Sequence, residues 1–405
     1  MIVIFIAPGY PAEMPWFVRG LATHGARVYG IGDQHEHELP AVAREHLAGY
    51  LRAPGIHAEG ADLSMVKPWM GDLKVDRVIC LWEPGVLLAG RLRDLLKVKG
   101  MGYDALVPFR DKDVMKQKVA AAGLRCPKHA SARTAKEVRG AAKDVGFPVI
   151  VKPIAGAGSM DTFRCDNADE LEAAIKKMGH IDHANVEEFI DAEEYTFDTI
   201  CVKGKVLYSN ICWYRPRPLV ARQVEWISPQ TLALRDVDAP HLRGGRELGL
   251  AVLKALKFQT GFTHMEWYLK SNGEVVFGEI AARPPGAHTV DLMNYASDID
   301  LYMGYAEAEL KGTFSIPVDR KYNSAIIFKR AQGQGRITHI DGLDRLRQRL
   351  GDRIVATDLL AIGEPLRNWV QTLVSDGWVV VRDPDLQQCM DNADLVGTDL
   401  QIYAG

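Results

Sequence analysis

Two glutamates, Glu266 and Glu279, flank a turn in THMEWYLKSNGEVVFGEIAARPPG, residues 263–286. SNG between two apolar runs is a short hairpin signal. With Asn272 and Gly273 at the tip, Lys270 faces Val275, Tyr268 faces Phe277, Glu266 faces Glu279 and His264 faces Ala281. Directly opposed side chains lie about 4.5–5.5 Å apart at Cβ, where like charges repel. A shared proton would relieve that repulsion. So would a hard divalent cation, which takes carboxylate oxygens together with substrate phosphates. The plain alternative is a solvated face where salt screens the pair. Strand period places His264 and Arg283 on the same face as the two acids, just before a Pro-Pro-Gly break.

Other segments carry anion and nucleotide chemistry. Lys152 ends the β-branched run GFPVIVKP and precedes the small-residue loop AGAGSM, residues 155–160. Glycines there let backbone N–H groups approach a phosphate, and the lysine adds a point charge. Lys112 opens the helix DKDVMKQKVAAAG, against the preference of the helix dipole for acids in the first turn. In NVEEFIDAEEYTFD, residues 185–198, the backbone of Glu188 and Ile190 can meet an adenine edge, and Glu194 can take ribose hydroxyls. The plain reading is a solvated acidic turn. WYRPRPLVARQVEW, residues 213–226, reads as a proline-broken loop whose arginines suit a carboxylate fork or simply solvent. DQHEHE, residues 33–38, reads as a solvated loop rather than a metal cluster.

The chain that must position these groups has 405 residues, 47% hydrophobic and 25% charged, enough for two or three domains. A net charge of −3 gives no general case for nucleic acid. Six scattered cysteines without a CxxC pair argue for a reducing, cytoplasmic setting and against a disulfide frame. MIVIFIAPGY is too short to span a membrane and reads as a buried first strand rather than a signal peptide, so no membrane partner is expected. The first hundred residues alternate strand and helix, a parallel α/β pattern. Helices are expected near 13–24, 86–97, 111–123, 134–145, 168–178 and 297–311. The tail from about 320 reads as a small mixed or β-rich cap.

Taken in order, DKDVMKQKVAAAG, GFPVIVKPIAGAGS, VEEFIDAEEYTFD and HMEW…VVFGEIAARPPG resemble the ATP-grasp superfamily of carboxylate–amine ligases. The HxE and EIAARPPG variants are most similar to the L-amino-acid (dipeptide) ligase branch. The resemblance covers roughly residues 1–315. It implies an α/β (α+β ATP-grasp) fold: a Rossmann-like parallel-sheet domain over 1–110, an ATP-grasp domain over 111–315 and a small mixed α/β domain over 316–405. The small lobe would run from about 111 to 186 and the large lobe from about 187 to 315.

The same resemblance implies ATP and Mg²⁺, with Mn²⁺ as an option, and small-molecule acid and amine substrates. Lys112 and Lys152 would hold ATP phosphates under a lid that includes Gly156, Gly158 and Ser159. Glu187, Glu188, Phe189 and Ile190 would form the adenine hinge, with Glu194 on the ribose. Glu266 and Glu279 would bind metal, and Arg283 would stabilise the acyl phosphate and its adduct. Arg222 falls near a basic residue that contacts the transferred phosphate or the acceptor. His264 is either a base for the amine or a packing group on the metal face. Ala281 stands where most of the superfamily has asparagine. The expected reaction forms an amide with release of ADP and phosphate, in a chain that could form a homodimer. A carboxyphosphate-using carboxylase, a phosphotransferase and an inactive nucleotide-binding regulator are the competing classes.

Overall fold

The computed structural model describes residues 1–56, 63–154, 161–372 and 374–405. Four parallel strands open the chain, in the order Leu47–Arg52, Arg27–Gly32, Ile2–Ile6 and Arg77–Cys80. Val3, Ile4, Phe5 and Ile6 are fully buried, as a strand covered on both faces requires. Helices Met14–Thr23 and Val86–Leu96 lie where the apolar periodicity places them.

The second unit is an antiparallel sheet of four strands, ordered His129–Ala132, Ala184–Glu188, Val149–Pro153 and Phe163–Cys165. Helices Ala135–Val145 and Ala168–Lys177 cover it through Val138, Ala142, Leu171 and Ala174. Helix Lys112–Ala121 leads into this lobe, and Asp111 caps it by accepting from the N–H groups of Asp113 and Val114. Gly123, at φ +74°, closes the turn beyond its last residues.

A nine-stranded antiparallel sheet carries the rest. The hairpin strands Gly261–Leu269 and Val275–Ala281 form one edge, and the long strand Glu193–Val202 pairs beside them. Strands Asn323–Phe328, Gly377–Asp383 and Ile354–Leu359 of the mixed α/β tail continue this same sheet beyond Gln230–Ala233. Among the described residues of the tail, the small sheet of Gln332–Gly333, Gln401–Ala404 and Ile337–Asp341 stands apart from it. The helix expected near 297–311 runs Leu301–Lys311, and a further helix, Thr289–Ser297, precedes it. Asp298 at φ +51° ends the first, and Asp300 caps the second through the N–H of Met303. Gly312, at φ +76°, stops the second helix.

Candidate active site

The hairpin places Glu266 directly opposite Glu279, and His264 opposite Ala281. Nearer the turn the pairing slips by one residue. Trp267 faces Phe277, Tyr268 faces Val276 and Leu269 faces Val275, so the expected pairs of Tyr268 with Phe277 and Lys270 with Val275 do not form. Gly278 is the extra residue of a β-bulge. A Cβ there would stand 2.8 Å from the carbonyl oxygen of Glu266, which is why glycine occupies the position. The bulge keeps both acids on one face while the turn end follows a different register.

The two carboxylates have unlike surroundings. Lys112 Nζ lies 3.2 Å from Glu279 Oε2 and Lys152 Nζ 3.9 Å from it. Burial opposes its charge, yet the two lysines hold Glu279 down at about 2. Glu266 instead faces His264, whose Nε2 is 3.6 Å from Glu266 Oε1. His264 Nδ1 is 2.6 Å from Asp198 Oδ1 on the neighbouring strand. Burial disfavours charge on this imidazole, but Asp198 and Glu266 together raise its pKa to about 9.

Lys112 and Lys152 come from different segments and meet at the start of the first helix of the lobe. The N–H of Lys112 points to the carbonyl of Ile154, at 3.4 Å. The predicted loop residues Gly156, Gly158 and Ser159 lie outside the described residues. Glu187 is a correction. Its backbone sits inside the ladder, paired with His129 and Ile150. Its buried carboxylate takes Lys152 at 2.7 Å, the amide of Asn185 at 2.6 Å, and Lys116. Glu187 therefore fixes the lysines rather than meeting a base. Lys116 is fully buried, and burial together with the Lys152 charge pushes its pKa well down.

The segment after Glu187 runs along the lobe edge. The N–H of Glu188 donates to Lys128, and that of Phe189 to Pro148. The Glu188 carboxylate is held by Arg125 at 2.8 Å and stays below its usual range despite the cost of burial. The N–H of Ile190 has no partner among the described residues. Glu194 is buried, and burial plus the charge of Glu266 raise it to about 8. Arg217 lies 3.3 Å from its Oε2 and donates to the carbonyl of Ile190 at 2.7 Å, with its guanidinium over the rings of Phe189 and Tyr268.

Arg283 follows the hairpin. Its Nε is 2.6 Å from Glu83 Oε2, and its Nη1 donates to the carbonyl of Pro284. Arg110 approaches the other oxygen of Glu83 at 3.6 Å. Arg222 is not brought to this cluster. It donates to the carbonyls of Val370 and Thr372, because the helix Pro218–Ala221 turns it toward the C-terminal segment. Of the three arginines in that loop, Arg217 is the one that reaches the site. Among the described residues, no group of three or more His, Cys, Asp or Glu side chains is arranged to hold a metal, the acidic histidine-rich loop included.

The residues that sequence reasoning missed are Lys116, Asp198, Arg217 and Glu83. Helical spacing from Lys112 points to Lys116, four residues on. Strand period from Glu194 points to Asp198. Glu83 is 200 residues from Arg283 in sequence and has no local signal.

Known proteins resemble this chain in sequence and in fold. Residues 111–192 match the family model described as carbamoyl-phosphate synthase L chain, ATP binding domain. The chain is 31% identical over 226 residues to a D-alanine–D-alanine ligase of Fusobacterium nucleatum, covering 54% of this chain and 69% of that protein. It is 27% identical over 252 residues to an L-arginine-specific L-amino acid ligase of Bacillus subtilis, and the match spans 60% of the length of each. In fold it superposes on an L-amino acid ligase from Bacillus licheniformis with a TM-score of 0.80 at 19% identity, over 100% of this chain and 99% of that one.

Proposed function

The chain belongs to the ATP-grasp superfamily, most like its L-amino-acid ligase branch, and from that premise we propose that it joins a carboxylate to an amine with cleavage of ATP. An amino acid is the proposed acid. The observation that carries the reading is Glu266 facing Glu279 with Lys112 and Lys152 beside them.

A carboxylate oxygen of the acid attacks the γ-phosphorus, the bond to the β-phosphate oxygen breaks, and ADP leaves with an acyl phosphate formed. The amine then attacks the acyl carbon, loses a proton and expels phosphate. Lys112 and Lys152 are placed to hold the phosphates; Ile190 offers its N–H and Glu188 its carbonyl to the base, and Glu194 its carboxyl group to the ribose. The donor set of two carboxylates, with lysines that a phosphate would draw off Glu279, fits a hard divalent cation. Glu266 and Glu279 would hold it; when bound, Mg²⁺ or Mn²⁺ neutralises charge on the phosphate oxygens. Arg283, fixed by Glu83, aims its donors at the oxyanion. His264, held between the carboxylates of Asp198 and Glu266, is placed as a holder of Glu266 rather than as the base. Arg222, turned to the C-terminal carbonyls, takes no part.

The test is phosphate release from ATP across pairs of amino acids, followed by product mass. Amine-stimulated phosphate release with an amide product supports the reading. Release that requires bicarbonate points to a carboxylase, ADP without phosphate to a phosphotransferase, and no stimulated release at all to a nucleotide-binding regulator.

A further inference from the structure

We infer that Asp198 and His264 form a fixed pair that orients Glu266, making Asp198 a positioning residue for the divalent cation. The inference rests on the proposed reading of Glu266 and Glu279 as the cation's ligands. Glu279 is braced by two lysines. Among the described residues, His264 is the one group paired with the Glu266 side chain. Across the hairpin from His264 stands Ala281, which has no polar atom to offer.

The imidazole is anchored from its other side. Asp198 is fully buried and directly opposite His264 on the neighbouring strand. A carboxylate only accepts, so Nδ1 carries the proton of the 2.6 Å contact with Oδ1. Asp198 Oδ2 accepts from Thr196 Oγ1 at 2.7 Å, and that hydroxyl accepts from the N–H of Cys212 at 3.1 Å. The chain of contacts runs from the backbone of a third strand through Thr196, Asp198 and His264 to Glu266. With one oxygen of Glu266 facing Nε2, the carboxylate is restrained from swinging, and its other oxygen is left for a cation. Groups that hold a metal's ligands in this way typically contribute about 10–100-fold to affinity.

The experiment titrates Mn²⁺ by electron paramagnetic resonance in the presence of saturating ADP. ADP affinity without metal and thermal unfolding are measured on the same proteins. Asp198→Asn and His264→Ala are compared with Thr199→Val, which removes the buried 2.6 Å contact between Thr199 and Thr263 on the same two strands. The inference predicts about tenfold weaker Mn²⁺ binding for the first two, with metal-free ADP binding unchanged, and wild-type Mn²⁺ binding for Thr199→Val. Folded Asp198→Asn with wild-type Mn²⁺ affinity overturns it, as does an equal loss in Thr199→Val. If Asp198→Asn does not fold, His264→Ala decides by the same readout. Glu266→Gln and Glu279→Gln separate the two levels of argument. Should both keep wild-type Mn²⁺ affinity, the proposed cation site itself fails; should they lose it while Asp198→Asn and His264→Ala do not, only the positioning role fails.

Discussion

Arg283 Nε stands 2.6 Å from Glu83 Oε2, which ties the end of the Glu266–Glu279 hairpin to the segment that follows the N-terminal parallel sheet. The contact sets the plane of a guanidinium whose Nη1 donates to the carbonyl of Pro284, leaving Nη2 for the oxyanion. Arg283→Ala should lower kcat by about 10²–10³-fold, the cost of one oxyanion donor. Glu83→Ala, which lets the arginine drift, should cost about 10²-fold. ATP affinity should hold in both. Loss of ATP affinity with kcat unchanged would show that Arg283 binds the nucleotide instead.

Glu187 is the shared buried partner of Lys116 and Lys152 at the lobe edge. Its removal strips Lys116 of its carboxylate partner and leaves Lys152 with the longer contact to Glu279. Breaking a buried pair by deleting one partner costs about 3–5 kcal/mol. Glu187→Ala should therefore lower the urea midpoint by a corresponding amount, and a shift no larger than for an exposed glutamate such as Glu247 would contradict this.

Gly278 sets the register of the two acids. Adding a Cβ against the Glu266 carbonyl at 2.8 Å forces the bulge to open. Gly278→Ala should lose about 1–3 kcal/mol, as overpacked sites do, and should raise the Mg²⁺ concentration needed for half-maximal ATP turnover. Wild-type Mg²⁺ dependence would mean that the bulge does not govern the acids.

Glu194 gives a pH signature. Burial and the Glu266 charge place its folded pKa at about 8, above the ordinary value of 4.5, with Arg217 opposing. Between those values the folded chain keeps a proton that the unfolded chain has released. This group's stabilisation is fully present below about pH 4.5 and is lost as pH rises through about 8. Wild type should lose stability relative to Glu194→Gln over that interval. Parallel stability curves for the two proteins would refute the assignment.

The hairpin was legible because turn chemistry and period two act locally: SNG and the alternating face suffice to oppose Glu266 and Glu279. The slip at Tyr268 was not, since a bulge is chosen by how closely the Gly278 backbone can approach Glu266. Lys112 and Lys152 stood out at a helix start and a strand end. The role of Glu187 did not, because a glutamate in an acidic run looks solvated until the fold buries it between Lys116 and Lys152. Arg217 and Arg222 are indistinguishable in sequence, and the short helix at Pro218 decides which one turns inward. Glu83 depends on the packing of one domain against another, which no local pattern encodes. The sheet partner of the tail was not legible because a chain reads one strand at a time, whereas Asn323–Phe328 gains its stability by pairing with Gln230–Ala233, far upstream.

The acyl phosphate is tested most directly by isotope transfer. An acid substrate labelled with ¹⁸O in its carboxylate is turned over with ATP and the amine, and the released phosphate is weighed. The account predicts one labelled oxygen in each phosphate, because the attacking carboxylate oxygen leaves with it when the amine displaces it. Unlabelled phosphate alongside amide product would contradict the account.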